Sequence, residues 1–330
     1  MRLAIAVLTF SGVIWGQSFY GTLRGRVADV SGGVVPSARV SLIDESTHIL
    51  RSTISDASGE YVFPSVIPAV YTVTAETQGF KRLERTGVSV TTQAAITLDL
   101  ALEVGEVTQQ VNVTEEAPPL QTSDASTGQL IDAKKITDLP LLGRNPFFTG
   151  KLAQSVVFVG NPKFARMQDQ NGNSQVSIAG GPVRTNNYLI DGISITDTTN
   201  RAVLLPSPEA VQELKLQAST YDAEVGRTGG GTFNTFLRSG TNDLHGSAVG
   251  HIRETDWLAN NFFANRAGQN IAEQPFRDWA FSLGGPVLIP KLYHGRNKTF
   301  FFITTEAYRQ QDGATLTLSV PTALEKRGDF

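Results

Sequence analysis

No segment after Trp15 reaches the roughly 18 uninterrupted apolar residues that a membrane-spanning helix needs, so any crossing of a bilayer there has to be made with strands. Composition points the same way. Gly 31 and Pro 15 break a sequence of 330 residues into short runs, charged residues are only 18%, and Val, Thr, Ser and Phe fill the runs between breakers. Such residues fit a pleated surface, so the fold class is mainly β and an all-helical fold is excluded. Thr22 to Val27, Ala38 to Asp44, Gly59 to Phe63, Val70 to Ala75 and Ile96 to Leu102 are separated by breaker clusters such as Asp29-Val-Ser-Gly-Gly33. That spacing predicts a small antiparallel β-sandwich over residues 20–103. Within Val70 to Ala75, alternation places Tyr71, Val73 and Ala75 on one side, predicted to face the core, and Val70, Thr72 and Thr74 on the other.

Met1-Arg2 gives a short positive start, Leu3 to Trp15 is a 13-residue stretch without a charge, and Gly16 offers a small residue before Gln17. This is the pattern of a secretory signal peptide over residues 1–16. A helix of that length rises only about 20 Å, short of a bilayer core, which disfavours a permanent anchor. A net charge of -3 and a pI near 5.9 supply no basic field, which sets nucleic acid aside as a partner. With Cys 0 there are no disulfides, thiolate metal sites or cysteine nucleophiles.

Asp56-Ala-Ser-Gly-Glu-Tyr-Val-Phe63, Pro68-Ala-Val-Tyr71 and Gly79-Phe80 resemble the D-x-x-G-x-Y-x-F, P-G-x-Y and G-F landmarks of carboxypeptidase-regulatory-like domains, with Ala69 departing from the usual glycine. Physically, Asp56 and Gly59 close a hairpin turn while Tyr61 and Phe63 pack on one face. Further on come Leu139-Pro-Leu-Leu-Gly-Arg-Asn145, Asn186-Asn-Tyr-Leu-Ile-Asp-Gly192 and Tyr221-Asp-Ala-Glu-Val-Gly-Arg-Thr-Gly-Gly-Gly-Thr-Phe233. The run Thr232 to Asp243, TFNTFLRSGTND, then leads into the alternating segments Gly246 to Arg253, Trp279 to Gly284 and Thr299 to Arg309. In this order the motifs resemble the plug-to-barrel transition of a TonB-dependent outer-membrane receptor of the Oar-like type, with a carboxypeptidase-regulatory-like domain ahead of the plug.

The resemblance implies a mainly β chain. Its order is an N-terminal transthyretin-like or Ig-like β-sandwich, an α+β plug domain and the first strands of an incomplete transmembrane β-barrel. The corresponding divisions are a signal peptide at 1–16, the sandwich at 17–103, a linker at 104–127, the plug at 128–240 and the start of the barrel at 241–330. Plug landmarks are Gly143, Arg144, Asn145, Asp191, Gly192, Gly226, Arg227, Gly230 and Gly231. Gln110, Val111, Asn112, Val113 and Thr114 are a candidate TonB box, a strand that pairs with the energy-coupling protein; Val111 and Val113 equally suit the last strand of the sandwich. Implied partners are the inner-membrane TonB complex, the outer membrane and an unidentified nutrient; the implied function is energised uptake, with no cofactor. An alternative is a non-transporting surface or adhesion protein whose sandwich binds a partner or glycan. A plugged barrel of this class has about 22 strands, so the chain is expected to be an N-terminal piece of a longer receptor or a truncated product.

Catalysis finds little support. His251 and Glu254 have the H-x-x-E spacing of a zinc peptidase, but in a strand residues three apart face opposite sides, and the only later histidine, His294, lies in a loop sequence. No G-x-S-x-G elbow accompanies His48, His245, His251 or His294. The glycines after Tyr221 lack the lysine and hydroxyl residue of a phosphate-cradling loop. Asp191 and Arg227 are the charged candidates for a plug interior, where charges are paired, although Asp191 also suits a plain turn role.

Overall fold

The computed structural model describes residues 19–106, 110–114, 127–141, 144–159, 175–218, 226, 228–311, 313 and 319–329. The signal-peptide segment over residues 1–16, Gly143, Arg227 and residues 221–225 of the Tyr221 run fall outside them.

The first nine strands make a sandwich: β1 (Gly21–Asp29), β2 (Arg39–Asp44), β3 (Leu50–Ile54), β4 (Glu60–Val66), β5 (Ala69–Glu76), β6 (Arg82–Val90), β7 (Ala95–Thr97), β8 (Leu100–Leu102) and β9 (Gln110–Thr114). One sheet has the order β4-β1-β7, with β8 also on β1, and the other β3-β2-β5-β6-β9. Alternation works as expected: Tyr71, Val73 and Ala75 are buried, as are Tyr61 and Phe63, whose rings meet edge-on at 6.1 Å. The Asp56 carboxylate closes the preceding turn by accepting from the Ser58 hydroxyl (2.7 Å) and the Glu60 amide (2.9 Å). Those hydrogen bonds, the hydroxyl's first, hold it below the usual carboxylate range.

Two expectations are corrected. The sandwich is mixed rather than antiparallel, because β7 and β8 run parallel to β1 and β9 runs parallel to β6. Ile96 to Leu102 is not one strand but two. Between them the Leu98 carbonyl accepts from the buried Tyr61 hydroxyl (2.6 Å), and the Asp99 carboxylate takes the Arg26 amide (2.9 Å), so the ladder is interrupted at side-chain contacts.

The second region contains β10 (Thr127–Asp132), α1 (Ala133–Asp138), β11 (Val156–Phe158), β12 (Val176–Ile178), β13 (Asn187–Ile190), β14 (Ile193–Ser194), β15 (Val211–Ala218) and β16 (Gly231–Leu237). Its main sheet has the order β10-β15-β16-β13-β14, with β11 and β12 paired separately. Asp132 caps α1 by accepting from the Lys135 amide at 2.8 Å. Pro208 to Leu216 is a short 3₁₀ turn at Pro208–Ala210 followed by β15. The core on one side of the sheet is aromatic. Tyr188 stacks on Phe233 with centroids 5.0 Å apart, and Phe147 packs at 5.2 and 5.6 Å from the two rings.

The third region holds β17 (His245–Arg253), α2 (Phe262–Arg266), β18 (Phe276–Pro286), β19 (Leu288–Ile289), β20 (Tyr293–His294) and β21 (Phe300–Gln310). Here β17-β18-β21 form a three-stranded sheet that does not close among the described residues. The chain divides into two compact units, one running through His245 and taking in Leu283–Ile303, the other comprising Gly246–Ser282 and Thr304–Phe330.

Leu42 is fully buried between the sandwich sheets. Leu42→Ala is expected to cost about 2–5 kcal/mol from lost burial and the cavity left behind, read as a lower urea midpoint for loss of the sandwich.

Candidate functional site

The three-stranded sheet reverses the pattern of the sandwich. Along β18, Arg277, Trp279, Phe281 and Leu283 are exposed while Phe276, Asp278, Ala280 and Ser282 are buried. Asp278 has no exposed surface at all, whereas Phe281 is 52% exposed. β21 repeats this with Ile303, Thr305 and Ala307 turned out and Thr304, Glu306 and Tyr308 less exposed. In β17 the outward positions are Gly246, Ala248, Gly250 and Ile252, and the alternate ones include Ser247, whose hydroxyl meets that of Ser282 at 2.8 Å. In water this arrangement strands large apolar side chains. In a bilayer it is the alternation of an outer-membrane strand, apolar outward and polar inward. β18 and β21 have 11 residues each, the length a tilted crossing requires. Gly250 is glycine for a contact reason: a Cβ there would lie 2.5 Å from the Trp279 ring, which covers the backbone.

The plug landmarks gather at two places. The first is around β13 and β16. Asp191 (φ +47) and Gly192 (φ +76) make the two-residue turn from β13 to β14. Asp191 also ties this turn to β16: its amide donates to the Thr235 carbonyl (2.9 Å) and its carboxylate accepts from the Leu237 amide (3.0 Å). Burial raises its pKa, offset in part by that last bond. Gly226 accepts from the Asn187 side chain at 3.2 Å, and the Asn186 side-chain oxygen accepts from the Gly231 amide at 3.1 Å. A Cβ on Gly230 would lie 2.4 Å from that same oxygen, so the glycine run lets β16 enter the sheet beside Asn186.

The second place is Arg144 and Asn145. Asn145 caps the 3₁₀ turn Pro146–Leu152 through the Phe147 amide (2.9 Å). A single terminal nitrogen of Arg144 donates to both oxygens of Glu209, with the two side chains 10% and 5% exposed. Against burial, which would raise it, the hydrogen bond and charge of Arg144 hold the Glu209 carboxyl below its usual range. Glu209 was not singled out by the sequence, because a partner 65 residues away leaves no spacing signal.

A contact between the sandwich and the sheet that contains β15 was equally invisible. On β15, Leu214 and Leu216 face the aromatic core while Glu213 and Lys215 face the other way. Glu213 accepts from the amide (2.5 Å) and hydroxyl of Thr92, and Lys215 donates to the Gln93 carbonyl at 3.0 Å. Phe19 stacks on Phe236 beside them at 5.2 Å. A cavity of about 310 Å³ next to this contact is lined by Asp44, Glu45, Val70, Glu213, Phe236 and Thr241 among others. Burial raises the Glu213 pKa, and the hydrogen bonds from Thr92 and the charge of Lys215 only partly offset it.

Gln110–Thr114 completes the sandwich sheet, with Gln110 opposite Arg82 and Thr114 opposite Thr86, which is the strand role left open beside the TonB box. β9 ends the sheet order, so its far edge has no partner strand among the described residues. The H-x-x-E residues take separate partners. Glu254 accepts from Arg277 at 2.7 and 3.0 Å, and His251 lies 3.9 Å from Asp278.

The chain matches the family model described as a carboxypeptidase regulatory-like domain over residues 22–103 and that of an outer membrane beta barrel domain over 236–330. It is 26% identical over 303 residues to the TonB-dependent transporter Oar of Myxococcus xanthus, covering 87% of this chain but 27% of that relative. The chain thus spans about a quarter of the length of the curated relative it matches. Among solved structures, the ferric enterobactin receptor PfeA of Pseudomonas aeruginosa is 16% identical over 58% of this chain and 26% of its own, with a TM-score of 0.40. Hydroxyquinol 1,2-dioxygenase from Pseudomonas putida is 11% identical over 27% of this chain and 57% of its own, with a TM-score of 0.20. At these scores neither likeness carries weight. The family matches and the sequence relative make the chain similar to the N-terminal portion of an Oar-like TonB-dependent receptor, and they place it at the outer membrane.

Two outcomes test the buried polar contacts. Arg144→Met is expected to cost about 3–5 kcal/mol by leaving the Glu209 carboxylate buried without its guanidinium partner, and adding Glu209→Met should recover most of it, read from urea midpoints. Because the folded pKa of Glu213 is raised, its proton stabilises the fold at acidic pH. The contribution falls as pH climbs from the ordinary glutamate value of 4.5 through the raised one. Glu213→Gln should flatten that part of the stability profile while leaving the contribution of Asp191, which has the same sign; Glu209 acts only below the ordinary value.

Proposed function

We propose that the chain is the N-terminal part of an outer-membrane receptor that takes up a nutrient using energy delivered by an inner-membrane TonB complex. The observation that carries this reading is the sheet with apolar side chains outward and polar ones inward, entered within a few residues of a glycine-rich domain whose own sheet is buried on both faces. On this reading residues 1–16 export the chain, 17–103 form the regulatory-like domain, 104–127 a linker, 128–240 the plug and 241–330 the start of the barrel.

The plug residues then have structural tasks. Arg144 with Glu209, and Asp191 with Leu237, hold the plug's elements together, and Gly230 and Gly231 allow close approach of its backbone. Coupling falls to Gln110–Thr114, whose far edge offers backbone groups for strand addition by the energy-coupling protein. Nutrient identity depends on extracellular loops and the barrel lumen, leaving iron chelate, cobalamin, oligosaccharide and peptide as the classes to test. Nothing in this reading requires a cofactor or catalysis.

The test is made on the protein produced from its whole reading frame in a Gram-negative host. Outer-membrane recovery and a heat-shifted gel band are expected; soluble periplasmic recovery with no shift would instead favour a non-transporting binding or adhesion protein. Phe281→Arg, in the middle of the outward face, should lower the yield of heat-shifted protein through a cost of about 2–4 kcal/mol. Val113→Pro removes a ladder amide from β9 and is expected to abolish uptake while the heat-shifted band is retained.

A further inference from the structure

The outward face of the three-stranded sheet ends in two arginines. Val287 donates to the Thr299 carbonyl (2.9 Å) at one end of the β18–β21 pair, and Gln311 donates to Pro275 (3.1 Å) at the other. The equal spacing of these bonds along both strands fixes an antiparallel register without a bulge and sets Arg309 directly opposite Arg277. Like charges directly opposite each other destabilise a sheet in water unless something neutralises them. Glu254 engages Arg277 only through Nε and one terminal nitrogen, both on a single oxygen, and leaves its side chain 55% exposed. The local balance of the three groups remains positive.

The next outward position below Arg277 is Trp279, followed by Phe281 and Leu283, and below Arg309 come Ala307, Thr305 and Ile303. The outward run from Arg277 to Leu283 covers about 20 Å of strand. The order, from the end distant from the β19–β20 hairpin, is therefore cation pair, tryptophan, then aliphatic and aromatic surface. This is the depth order of a membrane: charged headgroup, interfacial indole, hydrocarbon. Guanidinium donors match phosphate oxygens in a two-pronged geometry that lysine cannot reproduce.

We propose that Arg277 and Arg309 form a surface site for the phosphate of a membrane lipid at the rim of the barrel, with Trp279 against its upper acyl chain and Glu254 competing with the phosphate for Arg277. The proposal rests on the barrel reading above, and it adds a lipid-recognition site to it. In a full receptor it pins one level of the barrel wall to the headgroup layer.

The test uses the full-length protein purified from the outer membrane in neutral detergent. It is titrated with mixed micelles carrying dansyl-labelled phosphatidic acid or dansyl-labelled phosphatidylcholine, and energy transfer from Trp279 is read as the difference between the protein and its Trp279→Phe variant. Phosphatidic acid is expected to bind more tightly than phosphatidylcholine. R277Q/R309Q should weaken the phosphatidic acid affinity at least about tenfold, and Glu254→Gln should strengthen it, a gain that mere structural damage does not produce. Equal binding of the two lipids, unchanged affinity in the double variant, or loss of affinity in Glu254→Gln overturns the proposal. So does displacement of the lipid by inorganic phosphate alone, which would mean an ordinary anion site. Loss of the heat-shifted band in the unmutated protein would refute the barrel reading itself; a retained shift without lipid discrimination refutes only this site.

Discussion

Inside hydrocarbon no water is present to satisfy backbone amides and carbonyls, so a strand there must be paired on both sides and must turn its apolar residues outward. That constraint inverts the usual order of burial. In β18 it leaves Trp279, Phe281 and Leu283 exposed and buries Asp278 and Ser282, while in the sandwich the same alternation buries Tyr71, Val73 and Ala75. One chain therefore contains two sheet types built from similar residues, distinguished by which face meets which solvent. The glycine at position 250 belongs to the same logic, since the indole of Trp279 covers the backbone where a side chain would collide.

The plug sheet answers to a different demand. Its β15 is covered on both faces, so a strand that alternates Leu214 and Leu216 with Glu213 and Lys215 has to bury charge. The cost is offset because the charged face meets hydrogen-bonding groups of the loop around Thr92 and Gln93 and not an apolar surface. Arg144 and Glu209 follow the same rule in a tighter form, a buried ion pair in which one guanidinium nitrogen serves both carboxylate oxygens. The Thr92 and Gln93 contacts join the sandwich to this sheet, and that of Glu213 is sensitive to protonation in a way the aromatic core of Tyr188, Phe233 and Phe147 is not.

β9 shows how one short segment satisfies two descriptions. Gln110–Thr114 is an extended run with alternating valines, which suffices both to finish a sandwich sheet and to accept a strand from a partner. In the structure it takes β6 on one side and has no partner strand on the other among the described residues, so the coupling role proposed above would use a different edge from the sandwich role.

Strand positions, turn residues and face assignments were legible in the sequence because they are short-range: Asp56 and Gly59 close a turn four residues long, and Tyr61 and Phe63 share a face by simple alternation. The Asp191-Gly192 turn and the glycine approach near Gly230 were legible for the same reason. What the sequence left open was pairing. Whether Ile96 to Leu102 forms one strand or two is decided by the Tyr61 hydroxyl, 37 residues from its acceptor. The partner of Arg144 lies 65 residues away, and that of Glu213 is 121 away. Alternation fixes which side chains share a face, but it carries no information about which distant strand that face or edge will meet. Local sterics settled the first in the sequence; only chain-wide packing, where buried charges and open edges must find partners, settled the second.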